Sequence, residues 1–250
     1  FVAYRDDWVF NGIINSLSLV GAVGFFVLNE GARYVRHLTR RHRPPRLTAH
    51  TRLALFMTAG LIIWGTAVIF LVEPTPPNTL LTALFQALTA TSTTGFNTIA
   101  IGGMSDTSLA VLMTLMFVGA PAGGTGGGIK ATTFGVLILL LWAMLRGQDD
   151  VNLFGRRLNQ KTIMQSVSIG ITAVLWLMLS IVILTATESA SFLSLMFEAV
   201  SALGTVGLSM GITAELSAWG KIIIISSMMI GRIGPLGVAY ALVRKGRIAY

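Results

Sequence analysis

Two short runs, Thr93-Thr94-Gly95-Phe96 and Thr205-Val206-Gly207-Leu208, carry the residue types needed to hold a dehydrated cation through backbone oxygens. Glycine admits backbone angles that turn successive carbonyls to one side, and threonine hydroxyls can add further oxygens. Each run follows a short apolar stretch, 79–90 in the first case and 192–202 in the second. As a helix the first stretch spans about 18 Å, too short to cross a bilayer. A helix ending at such a run aims its partial negative end at the oxygens, which suits a cation. A ring of such carbonyls replaces hydration water in potassium-channel filters with their TVGYG loops. Thr205-Val206-Gly207 matches the first three letters of that pattern, and Thr93-Thr94-Gly95 matches it more loosely. The alternative for either run is a tight turn between packed helices.

Between them lies a glycine-rich stretch, 119–128, reading GAPAGGTGGG, followed by Ile129-Lys130-Ala131. A phosphate-binding loop needs Gly-Lys-Ser/Thr at its end, and that pattern fails here. Gly126-x-Gly128-x-x-Ala131 mimics a dinucleotide fingerprint, but no strand precedes it. The stretch reads instead as an unwound break within a spanning segment. There Gly119, Gly123, Gly124, Gly126, Gly127 and Gly128 can obstruct or open a pathway, with Lys130 helping to close it. A passive kink is the competing reading. Arg232 interrupts an apolar span, where an arginine costs about 2.5–3.5 kcal/mol or more. It reads as facing the interior, either as a positive barrier below the bends or paired to carbonyls. Glu198 and the matching Gln86 read as packing or hydrogen-bonding residues, and Met228 and Met229 as packing.

Other chemistries find little support. There is no cysteine, and the three histidines, His37, His42 and His50, all lie in one arginine-rich segment, so no metal site follows from them. No nucleophile–base pair, HExxH or pair of membrane carboxylates is present, which argues against an intramembrane enzyme.

The elements that must position these residues are membrane helices. The chain has 250 residues, 54% hydrophobic and 11% charged, with mean hydropathy +0.76. Soluble domains carry roughly 25% charged residues, so this composition cannot cover a water-facing surface. Apolar stretches run over 8–28, 53–72, 109–145 with its break at 119–128, 163–186 and 218–243. Seven arginines fall between Arg33 and Arg52, four basic residues between Arg146 and Lys161, and three between Arg244 and Arg247. Each cluster follows an apolar segment, so the positive-inside bias of cytoplasmic loops explains them better than nucleic-acid binding does. Such loops also suit anionic membrane lipids. The stretches 73–78, 99–107, 186–191 and 210–217 then lie outside, with Glu73, Asp106, Glu188 and Glu215 and no Lys or Arg. Both short apolar stretches therefore enter from outside and return there.

A shift of 112 residues lays one half of the chain on the other. Phe85 meets Phe197, Ala87 meets Ala199, Ala90 meets Ala202, Thr93 meets Thr205, Gly95 meets Gly207 and Gly119 meets Gly231. Each half reads span, short helix, Thr-x-Gly bend, span. Gly21-Ala22-Val23-Gly24 also lies over Gly231-Arg232-Ile233-Gly234, the end of a third copy. In that phase the chain starts just after the bend of an earlier repeat. Residues 1–7 show no basic leader region.

TSTTGFNT at 91–98, GAPAGGTGGGIKATTF at 119–134 and GRIGPLG at 231–237 resemble the Trk/Ktr/HKT superfamily of potassium transporters, and most specifically the bacterial Ktr membrane subunits. The resemblance implies an all-α membrane protein of tandem membrane helix–pore helix/filter loop–membrane helix repeats in pseudo-fourfold symmetry. Residues 1–32 would be the second helix of an upstream second repeat and 33–52 a basic cytoplasmic loop. Residues 53–145 would be the third repeat, 146–162 a second cytoplasmic loop and 163–250 the fourth repeat. It implies K+ held at a filter of Thr93, Thr94, Gly95, Phe96, Thr205, Val206, Gly207 and Leu208. It further implies gating by the 119–128 loop, Lys130 and Arg232, with no cofactor in this chain. Glycine rather than serine at 95 and 207 looks like a potassium-selective member, and several members couple uptake to Na+. The implied partners are a second copy in a homodimer, a cytosolic ring of nucleotide-binding (KtrA-like) subunits and membrane lipids, with no nucleic acid. The implied location is the cell membrane, multi-pass. The alternatives are a less selective or sodium-preferring relative and a non-transporting scaffold, which would have no need of two matching bends.

Overall fold

The computed structural model describes residues 1–39, 46–74, 79–148 and 150–234. Among the described residues, two helices are long and apolar enough to cross a membrane alone: α3, Ala49–Val72, and α7, Gln160–Thr187, labelled in chain order. Before them α1, Trp8–Val23, and α2, Phe25–Thr39, form one apolar pair bent by 103° at Gly24. After α3 come α4, Leu80–Ser92, α5, Asp106–Val118, and α6, Ala131–Leu145. After α7 come α8, Phe192–Gly204, and α9, Ala218–Ile233. Outer faces stay apolar: Phe56, Ile63 and Leu71 on α3 and Leu175, Met178 and Val182 on α7 are exposed. Apolar residues on all faces suit a helix whose solvent is hydrocarbon.

The short helices run through the interior. From Thr82 to Ser92, α4 is buried at all positions but one, and from Ser194 to Gly204, α8 likewise. Their starts are fixed by side-chain caps, Thr79 on α4 and Ser191 on α8, each accepting from a backbone N–H in the first turn. Their ends are fixed by Thr93 and Thr205 in left-handed conformation. Helices α3, α4 and α5 pack on one another, and α7, α8 and α9 do the same. Across the units α5 lies on α8 just as α1 lies on α4. Each inner helix thus meets the short helix of the next unit, the same relation twice over.

Matching carboxylates brace the two units on the acidic side. Glu73, at the end of α3, accepts from the N–H and hydroxyl of Ser105 at 3.0 and 3.1 Å. Glu188, at the end of α7, accepts from the N–H of Ser217 at 2.9 Å and from its hydroxyl. Ser105 and Ser217 cap α5 and α9, so each carboxylate ties an outer helix to the start of an inner one.

The elements differ from the sequence expectation in three places. The first span does not continue straight to 28; Gly24, at φ 89°, turns it sharply. Residues 33–39 belong to α2 rather than to a loop, and its last turn carries Arg36 and His37, where cations suit the helix terminus. The all-α expectation meets a small exception in the second basic loop, where β1, Asn152–Leu153, pairs antiparallel with β2, Arg156–Arg157. Phe154 and Gly155, both at positive φ, close that hairpin, and Leu153 packs with Leu53 and Val136. The hairpin brings Phe154 and Arg156 beside Arg46 and Arg52, so two basic segments share one face. Helix α9 ends at Ile233, and the expected continuation to 243, the cluster at 244–247, Pro44-Pro45 and 75–78 lie outside the described residues.

Hydrogen bonds from Ser217, first its hydroxyl and then its N–H, hold the Glu188 carboxyl below the ordinary carboxylate range. A carboxyl whose pKa is lowered by folding stabilises the fold above its unfolded value near 4.5, and that contribution disappears as pH falls through the folded value. Glu188→Gln is therefore expected to melt below the parent at pH 7, with the gap closing as pH drops below the ordinary carboxylate value. Thermal unfolding in detergent at both ends of that range checks this; a gap independent of pH would contradict it.

Candidate functional site

The two Thr-x-Gly bends adopt one backbone conformation. Thr93 lies at φ 56°, ψ 38° and Thr205 at φ 51°, ψ 39°. Gly95 and Gly207 follow at φ 77° and 94°, while Thr94 and Val206 between them are not at positive φ. In an extended chain carbonyls alternate sides, and reversing φ at every second residue brings them toward one side. The hydrogen bonds repeat as well. Thr94 N–H donates to Thr89 O at 3.0 Å and Val206 N–H to Ser201 O at 2.9 Å. The hydroxyls of the same two residues accept from the bends, Thr89 from Phe96 N–H at 2.9 Å and Ser201 from Gly207 N–H at 3.2 Å. Thr89 and Ser201 are 112 apart and were not singled out by motif; the repeat register could have found them.

The bends lie against each other and against the glycine-rich break. A Cβ on Gly95 would fall 2.0 Å from Val206 O, whereas one on Gly207 would have nothing closer than Gly95 Cα at 4.0 Å. The break occupies 119–130, between α5 and α6. Gly126 sits under Thr93 and Gly127 under Thr205: a Cβ at either would lie 2.5 or 2.4 Å from the threonine Oγ1. The Thr205 hydroxyl is buried and has no hydrogen-bond partner among the described residues. At its other end the break rests on the bend after α1, where Phe25 N–H donates to Gly123 O at 3.1 Å and Thr125 N–H to Gly21 O at 3.3 Å. Gly119, Gly123 and Gly128 are at positive φ, and Gly124 packs directly on Ala22 O.

Two cations grip this loop. Lys130 Nζ donates to the Gly126 carbonyl and Arg232 Nη1 to the Thr125 carbonyl. Arg232 projects from the last turn of α9 into a cavity of about 550 Å³ that Thr205, Val206, Gly207 and Leu208 also line. Thr93, Thr94 and Phe96 line a second cavity, of about 280 Å³, against Leu17 and Gly21 of α1. Val206 and Leu208 themselves are otherwise buried. Met228 and Met229 are not packed in the core as expected; both are exposed and line the larger cavity. Glu198 and Gln86 are buried and hydrogen-bonded, Gln86 to Thr98 at 3.2 Å.

A family model for TrkH, described as a cation transport protein, matches residues 47–246. The chain belongs to the TrkH family. Among its relatives in this family, Ktr system potassium uptake protein B of Vibrio alginolyticus is 36% identical over 97% of this chain and 54% of its own length. Ktr system potassium uptake protein D of Bacillus subtilis is 38% identical over 98% and 55%. Potassium/sodium uptake protein NtpJ of Enterococcus hirae is 32% identical over 95% and 53%. The chain thus spans about half the length of these relatives. In fold it is similar to the potassium transporter TrkH of Vibrio parahaemolyticus, with a TM-score of 0.74 at 20% identity over 95% of this chain and 52% of that one. The TrkH family fold and the multi-pass membrane location expected from the motifs both follow.

Close packing makes a sharp prediction about α9. A Cβ at Gly231 would fall 1.8 Å from the Leu203 carbonyl oxygen, backbone that cannot step aside, while one at Gly60 on α3 meets nothing within 4 Å. Gly231→Ala is expected to lower stability by about 2 kcal/mol or more, and Gly60→Ala to leave it level or raise it by up to ~1 kcal/mol. Thermal unfolding of both variants in detergent checks this; equal melting temperatures would show that the α8–α9 contact is looser than described.

Proposed function

We propose that this chain supplies two of four pseudo-fourfold repeats of a potassium-uptake pathway in the cell membrane. K+ sheds water to carbonyls of Thr93, Thr94, Thr205 and Val206, with Gly95, Phe96, Gly207 and Leu208 completing the filter bends. The observation that carries this reading is the identical alternation of backbone handedness at two bends 112 residues apart, set at the ends of two buried helices. The unpartnered Thr205 hydroxyl adds an oxygen free to meet an ion or its water. Beneath the bends the 119–130 loop closes the path, latched by Lys130 and Arg232 on its carbonyls. A positive charge there also raises the electrostatic barrier to a cation. The names of the Ktr relatives support potassium as the transported ion, and that of NtpJ supports sodium as a second, coupling ion. The same name favours, as a second reading, a less selective path that carries both ions. Pairing with a second copy and docking of a cytosolic nucleotide-binding ring on the basic face belong to this proposal. The repeat boundaries near 53–145 and 163–250 belong to it as well.

Rubidium uptake by the full-length protein in potassium-uptake-deficient cells tests it. Both bend glycines hold positive φ, which strains any side chain, but Gly207 is the position to change, because a Cβ there meets no close atom whereas one at Gly95 would also strike Val206 O. Gly207→Ser is expected to reduce preference for Rb+ over Na+ about tenfold, roughly 1.4 kcal/mol. Arg232→Ala is expected to raise flux several-fold by freeing the loop. Unchanged selectivity and unchanged flux would together overturn the reading.

A further inference from the structure

Glu198 sits midway along α8 and is 5% exposed. Both of its carboxylate oxygens accept from hydroxyls beyond the bend: Oε1 from Ser209, and Oε2 from Thr213 at 3.0 Å. Ser209 Oγ also accepts from Gly211 N–H at 2.8 Å. One side chain therefore pins the return leg after Gly207 to the helix before it. The 112-residue repeat shows what such a strap needs. At the matching place Gln86 spans from α4 to Thr98 by a single amide hydrogen bond. A neutral amide thus performs the mechanical task in one repeat, while a carboxylate stands in the other. Glu198 forms no salt bridge among the described residues. Hydroxyl donors solvate a carboxylate without cancelling its charge, so its field extends into the cavity that it lines together with Gly207 and Leu208.

We infer that Glu198 supplies the negative charge that draws monovalent cations to the acidic-side mouth of the 205–208 bend, in addition to strapping that bend in place. The inference rests on the filter reading above. Electrostatic focusing by a charge in a low-dielectric wall raises local counter-ion concentration and on-rate. The charge therefore acts on apparent affinity more than on maximal rate.

The test is the concentration dependence of Rb+ uptake by the full-length protein, with Glu198→Gln, Ser209→Ala and Gly207→Ser measured in parallel. Glu198→Gln keeps the shape and a hydrogen-bond acceptor but removes the charge. It is expected to raise the half-saturating Rb+ concentration about fivefold at low ionic strength, less at high ionic strength, with maximal rate within about twofold. Ser209→Ala keeps the charge and loosens the strap, and its half-saturating concentration is expected to stay within about twofold of the parent. If Glu198→Gln and Ser209→Ala shift it equally, or neither shifts it, while Gly207→Ser still alters selectivity, the charge role is overturned and the filter reading stands. If Gly207→Ser is silent as well, the filter reading falls with it.

Discussion

A backbone that leaves its helix inside a bilayer has no water to bond with, so the protein itself must supply every missing partner. This chain leaves its helices in that way at 93–98, at 119–130 and at 205–211, and the three segments largely satisfy one another and the helices around them. The two bends are held by main-chain and hydroxyl groups of their own short helices, through Thr89 in one and Ser201 in the other. The break between α5 and α6 is held from one side by the bend after α1 and from the other by Lys130 and Arg232. In the proposed function, the carbonyls that remain unclaimed are the oxygens a cation would meet.

That arrangement explains the glycine content of 119–128 better than flexibility does. Gly126 and Gly127 lie directly beneath Thr93 and Thr205, and Gly124 lies on Ala22 O, with no room for a side chain at any of the three. The loop is fitted closely against the two bends, and only main chain fits between them. Within the loop Lys130 ties back to the Gly126 carbonyl, and from α9 Arg232 reaches the Thr125 carbonyl. Motion of α9 therefore bears directly on the loop. The fold is conserved between the two repeats in its bends, caps and carboxylate braces, and it departs from symmetry where charge enters, with Glu198 opposite Gln86 and Arg232 on α9 alone.

Much of this was legible in the residues. The 112-residue shift placed both bends, both short helices and the Gly119–Gly231 match, because those features depend on local backbone needs that recur in each copy. The break at 119–128 was legible because ten residues with six glycines cannot hold a helix against its alternatives. The sharp turn at Gly24 was less so, since a lone glycine in an apolar run is compatible with a straight span. The hydroxyls of Thr89 and Ser201 carry no motif, because a threonine or serine inside a short apolar helix usually bonds its own preceding turn, and only their 112-residue spacing marks them. Met228 and Met229 were misplaced for a related reason: sequence shows an apolar face but not whether a neighbour covers it. The carbonyl that Arg232 meets lies 107 residues away, which spacing alone does not encode, whereas Lys130 reaches a carbonyl only four residues back in its own loop.

In the proposed function the carbonyls at the two bends replace water around a potassium ion. Anomalous scattering from Rb+ or Tl+ in crystals of the full-length protein measures this directly. Anomalous density is expected within coordination distance of the Thr93–Gly95 and Thr205–Gly207 carbonyls. Bends packed dry against their neighbours, with the ion found elsewhere in the molecule, would contradict it.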